Sequence, residues 1–275
     1  MTGADRGGRP RHGAARLVGV FLAAFSGIVM MGVIDLLTLP GWVDQRYEWE
    51  VPLEASWGAL FTFFFGAAYL WVALFPRDPW PALLQLAVGG LALLLSAAAG
   101  TDWRPLAVAL GVGLSGLGLW LLLGRPTAVP GRGLSVDLPV LGLTLVGLLL
   151  WTPYVLEALA RSREGVLGSV TQGIEHWPVQ GATGIAILLA ASWTALRVEG
   201  RGLLRVAISL AAVYIGMAEL AFPDRAGAMQ DLRWGIGVTL WGVAVALVAA
   251  PTRTGATRRP GPVQLARLTA GSSPR

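Results

Sequence analysis

The chain reads as an all-α polytopic membrane bundle of about eight spans, and three observations predict it. It is 55% apolar over 275 residues. Only 13% of its residues are charged, where a soluble domain carries roughly 25%. Its apolar runs recur at the ~20-residue length that crosses a hydrocarbon core as a helix.

Eight stretches fit: 15–37, 57–75, 81–99, 105–123, 138–159, 178–196, 203–222 and 234–250. The breaks between them carry helix-ending residues, such as Pro40-Gly41, Pro76-Arg77-Asp78-Pro79, Arg125-Pro126 and Pro223-Asp224. The first stretch is too long for a signal-peptide core, so it is read as a span. The expected organisation is a polar tail over 1–14, a four-helix half over 15–124, a linker over 125–137, a second half over 138–250 and a basic tail over 251–275. The expected span count lies between seven and nine.

Orientation follows from arginine, because every one of the 21 basic residues is Arg. With the N-terminus inside, fifteen fall in cytoplasmic segments; only Arg46, Arg104, Arg161, Arg163, Arg225 and Arg233 fall outside. That bias places both termini in the cytoplasm. The absence of Lys and Asn, both encoded by A-rich codons, points to a GC-rich bacterial source and its inner membrane.

Composition also excludes chemistry. With no Cys there are no disulfides, thiolate sites or Fe–S clusters. No Lys means no retinal Schiff base, and His12 and His176 lie too far apart in sequence for a bis-His haem within the membrane. No cofactor is expected. The arginines are spread over tails and loops, which speaks for membrane topology and against nucleic acid.

A repeat runs through the chain. Val33-Ile34-Asp35-Leu36-Leu37 matches Val155-Leu156-Glu157-Ala158-Leu159, and Trp71-Val72-Ala73-Leu74 matches Trp193-Thr194-Ala195-Leu196, both at an offset of 122. Leu83-Leu84-Gln85 and Leu203-Leu204-Arg205 open spans three and seven, and Asp102-Trp103-Arg104 resembles Asp231-Leu232-Arg233-Trp234. The expectation is a tandem 4+4 duplication with parallel halves and a site between them.

Ionisable groups within spans are functional candidates. Asp35, Glu157 and Glu219 lie near the outer ends of their spans, and Glu175 and His176 open span six on the same side. A carboxylate–imidazole set suits a proton, a metal or a cationic ligand. The alternative is a belt of interface ion pairs with the outer arginines. Asp35 and Glu157 form the repeat-related pair, whereas an offset of 120 lays His176 on Ser56 and Glu219 on Ala99.

Acids followed by Trp open the inward-running spans (Glu54 and Trp57, Asp102 and Trp103, Glu175 and Trp177, Asp231 and Trp234), a pattern expected to anchor helix N-termini at the interface. Gly58, Thr62 and Gly66, and Gly111 with Ser115, predict close helix contacts. Trp151, Trp193 and Trp241 are read as packing residues, and Gln180 as bonded to a neighbouring helix. The loop 158–177 reads as an amphipathic surface helix or a lid.

Gly113-Leu114-Ser115-Gly116 resembles the GxSG stretch of rhomboid intramembrane proteases, which implies a Ser115–His nucleophile pair. Ser115 lies about 15 Å into its helix, while His176 starts one and is followed by Trp177-Pro178. Thr152-Pro153-Tyr154 is similar to the SPW-repeat membrane proteins over three inexact residues, and no residue role is carried over. Three functions follow in order: a small-ligand or ion carrier with an outer polar site, a non-catalytic assembly subunit with a membrane-protein partner, and an intramembrane serine protease. The carrier reading lacks a broken helix in the sequence, a feature of many transport sites.

Overall fold

Apolar helices of span length can satisfy every backbone polar group internally, which is what lipid demands. The computed structural model describes residues 8–37, 50–126, 134–166, 176–197 and 199–248, and among them there are helices and no strand. Seven helices are long and apolar enough to cross a membrane. The eighth, Leu232–Leu247, has 16 residues, about 24 Å at 1.5 Å per residue.

Helix one starts at Gly8, within the expected polar tail, and runs to Ala24; a π segment, Phe25–Val29, follows, and after a break comes Gly32–Leu37. Helix two is Val51–Ala59, a π segment Leu60–Gly66, then Ala67–Leu74. Helices three to seven are Trp80–Gly100, Arg104–Leu122, Leu138–Glu164, Trp177–Leu196 and Arg201–Ala221. Helix five outlasts its expected end at 159, with Arg161 and Arg163 in its last turn and Gly165 at φ 65° ending it. The basic groups suit the negative end of the helix dipole. The amphipathic-helix reading of loop 158–177 otherwise falls on residues 167–175, outside the described residues.

Helices two, three, six and seven form the interior, with helices one, four, five and eight packed around them. Helices one, four and eight present rows of exposed Leu, Val and Phe, the surface that lipid covers. Glycines set the tightest crossings. A Cβ on Gly216 would lie 2.9 Å from the Gly235 oxygen of helix eight, and one on Gly19 would lie 2.8 Å from the Tyr69 oxygen of helix two. Gly58 packs on Leu36 and Gly32 beside Thr62, as the small-residue spacing predicts, whereas Gly111 has open space where a Cβ would be.

The two ends of the bundle differ. At the end carrying Arg201, that residue pairs with Asp137 at 2.9 Å, both largely buried, while the Ser135 and Asp137 amides donate to Leu196 and Ala195 at the end of helix six. This clasp ties the segment before helix five to helices six and seven. The opposite end holds the carboxylates Asp35, Glu54, Glu157 and Glu219.

Candidate functional site

Helix one is broken, which its sequence does not announce. Met31 sits at φ 59°, a left-handed conformation uncommon outside glycine. The break and the two π segments release carbonyls from regular i→i+4 bonding, and bare carbonyls in a membrane interior are costly. Side chains of neighbouring helices take them up. Trp57 Nε1 donates to the Met30 oxygen at 2.7 Å, Ser26 Oγ to Phe61 at 2.6 Å, and Gln85 Nε2 to Phe63 and Phe64 at 3.0 and 2.8 Å. The Tyr214 hydroxyl of helix seven donates to the Leu36 oxygen at 2.6 Å. Gly32 permits this joint: a Cβ there would lie 2.8 Å from Phe61 Cβ and 2.9 Å from the Ser26 oxygen.

Beyond the break the last turn carries Asp35 into the interior, where it is 7% exposed. The Glu54 carboxylate of helix two acts on it through space. Glu54 is itself 3% exposed, and Glu50 just before it is also buried. Glu54 is therefore part of the acidic interior and not an interface anchor; its neighbour Trp57 stacks on Phe61. Asp102 and Asp231, also of the acid–Trp pattern, keep to helix starts. Asp102 pairs with Arg104, and Asp231 accepts from the Arg233 amide.

A second polar group lies across helix two. The Ser56 and Tyr154 hydroxyls share a hydrogen bond, and Thr183 Oγ1 donates to the Ser56 oxygen at 3.0 Å. Gln180 stands beside the Tyr154 hydroxyl, and the Glu219 carboxylate acts on it. Tyr154 is fully buried, stacked on Trp234 at 5.0 Å and edge-on to Trp151 at 5.2 Å. The loop between helices seven and eight closes over this group. Gln180 Nε2 donates to the Gly227 oxygen, and the Met229 amide donates to Glu219 Oε2 at 2.8 Å. Gly227, at φ 90°, lies directly on Leu53, leaving no room for a Cβ.

Among the described residues, two acceptors in this group remain buried without a donor, Glu219 Oε1 and Gln180 Oε1. Buried polar atoms are nearly always partnered, so two orphaned acceptors from adjacent helices, converging near Tyr154, suit a bound donor. A proton bound at the carboxyl would supply such a donor, and a cation would take both oxygens as ligands. Among the described residues no three His, Asp or Glu side chains group closely enough to hold a metal ion.

His176, one residue ahead of helix six, lies edge-on to Trp57 at 4.7 Å, and its buried Nδ1 has no partner among the described residues. Burial pushes its pKa down to about 4, so the ring is neutral near pH 7. Glu175 lies outside the described residues. Glu157 is exposed and pairs with Arg161 at 2.8 Å. It lines a cleft of about 630 Å³ on the outer face of the loop 224–230, with Trp177 and Met229. The structure thus brings Asp35 together with Glu54, and Glu219 with Gln180 and Tyr154, while Glu157 stays at the surface.

Ser115 has other partners than histidine. Its hydroxyl bonds Tyr69 at 2.6 Å and donates to the Val112 oxygen, while His176 sits against Trp57. Sequence reasoning missed Glu54, Ser56 and Tyr154. The offset of 122 that relates helices two and six lays His176 on Glu54, and that correspondence was the available signal.

Comparison with family models, with curated proteins and with solved structures gives no match. The functional reading rests on the site.

Proposed function

We propose that the chain is a carrier or binding protein for a proton or small cation, with its site between two four-helix halves at the end that faces out of a bacterial inner membrane. The observation that carries this reading is the pair of acceptors with no donor among the described residues, Glu219 Oε1 and Gln180 Oε1, buried beside Tyr154. Asp35 and Glu54 add two carboxylates from helices one and two at the same end. The broken first helix supplies the discontinuity that carriers commonly use at their sites. The arginine bias supports cytoplasmic termini.

Packing supports the duplication. Gly32 meets Thr62, and Tyr154 meets Gly184, at the same offset of 122. Gly58 packs on Leu36 as Gly181 packs on Leu159. Trp71 Nε1 donates to the oxygen of Asp78 just beyond helix two, and Trp193 Nε1 to that of Glu199 just beyond helix six. In this arrangement helices two and six are central, and the polar group spans both.

The test is flux in proteoliposomes with an entrapped pH dye and an imposed potential, with Na⁺ or K⁺ varied outside. The unmodified protein should move protons or one of these cations. The Asp35→Asn/Glu219→Gln pair, reconstituted to the same level, should not. Equal flux in both would defeat the reading; no flux and no cation binding in the unmodified protein would leave the assembly-subunit alternative.

A further inference from the structure

At the end of the bundle opposite the carboxylates, helix one and the turn between helices two and three enclose a cleft of about 490 Å³. His12 and Arg16 line it from helix one, and Arg77 and Asp78 from the turn. The wall is built rigidly. Gly19 seats helix one on the backbone of Tyr69 and Ala73, Ala15 is fully buried, and Trp71 Nε1 holds the turn through the Asp78 oxygen at 2.8 Å.

Arg16 and Arg77 come from separate elements and converge on one space. Neither pairs with a described carboxylate, and Asp78, the one acid in the lining, balances only part of their charge. Two guanidinium groups around a concave space match the planar, multidentate recognition of phosphate oxygens. The rim supplies a second requirement. Leu74 and Phe75 line the cleft and are exposed, and Leu17, Phe21 and Leu70 continue an exposed apolar surface along helices one and two. A ligand with an anionic phosphate head and a hydrocarbon tail satisfies both parts, whereas free phosphate uses only one.

We propose that this cleft binds the phosphate headgroup of an anionic phospholipid, whose chains lie along helices one and two. The site is separate from the carboxylate group and does not depend on the carrier reading.

The test titrates the detergent-purified full chain with short-chain phosphatidylglycerol, short-chain phosphatidylcholine and inorganic phosphate, following thermal unfolding. Phosphatidylglycerol should stabilise the protein at concentrations where phosphatidylcholine does not. Arg16→Gln/Arg77→Gln should weaken that preference by about 25-fold, at roughly fivefold per arginine. Arg77→Gln alone should weaken it about fivefold, whereas Arg125→Gln, which also removes one charge but outside the cleft, from a side chain lying over Trp120, should leave the preference intact. An equal loss in Arg125→Gln would overturn the proposal, because diffuse charge alone would then explain binding. Equal protection by inorganic phosphate would overturn the lipid assignment, and no preference for the anionic lipid would remove the site.

Discussion

Helices one and five end in matching sequences and do opposite things with them. Asp35 and Glu157 stand 122 residues apart in those matching stretches, yet Asp35 is buried beside Glu54 and Glu157 is exposed on Arg161. Disruption falls at the same register in both, at Met31 in helix one and at Pro153 in helix five. Helix five absorbs its proline and stays continuous, so its buried face runs Trp151, Tyr154, Val155, Ala158 and Leu159. Helix one breaks, and although its last turn still buries Gly32, the match of Tyr154, it buries Asp35 where helix five buries Ala158, the match of Leu36. That change amounts to about one residue step, roughly 100° around a helix with 3.6 residues per turn. A carboxylate's role here depends on the backbone beneath it, not on the sequence around it.

Exchanging charges tests the difference most sharply. Asp35→Asn is expected to abolish flux in proteoliposomes, since an intramembrane carboxylate has no neutral substitute in carrying charge. If the neutralised protein keeps full flux, the buried and exposed acids are functionally alike.

Attacking the joint should cost stability. Gly32→Val would drive a branched side chain into Phe61 and the Ser26 carbonyl, with an expected loss of about 1–3 kcal/mol, read as detergent unfolding. Gly142→Ala in helix five meets open space and should be neutral or stabilising. Comparable losses would mean that helix one is no more constrained than helix five.

Gln85→Leu strips the donors from the Phe63 and Phe64 carbonyls. The predicted loss is about 1–3 kcal/mol for buried acceptors left bare. An unchanged melting temperature would show that the π segment needs no outside donor.

His176 gives a pH signature. Its folded pKa is depressed from 6.5 to about 4, so the unfolded chain binds the extra proton. Its contribution is complete above pH 6.5 and declines as pH falls toward 4. His176→Gln should flatten the melting profile across that window, and a profile as steep as before would assign the acid sensitivity elsewhere. The smallest effect belongs to Glu157→Gln, where an exposed i,i+4 pair contributes about 0.3–0.5 kcal/mol and flux should stay within about twofold. A collapse of flux in that variant would move the site to the surface cleft.

Much of the architecture was legible. Helices three to seven begin within two residues of their expected starts, because lipid imposes a length and a hydropathy that a linear sequence displays. Trp151 and Trp241 were legible as packing residues, and Gln180 as a buried polar group, although it donates to the Gly227 oxygen of a loop and not to the neighbouring helix expected of it. Glu54 was not. Its place before Trp57 is the pattern of an interface anchor, and only the packing of its segment against helices one, six and seven buries it.

The residues alone determined that this chain is a bundle of apolar helices and where helices three to seven start. The tertiary structure decided which acids turn inward. Burial of a side chain depends on the rotation of its helix about its own axis, and a break of two residues at Met30–Met31 resets that rotation without any trace in hydropathy.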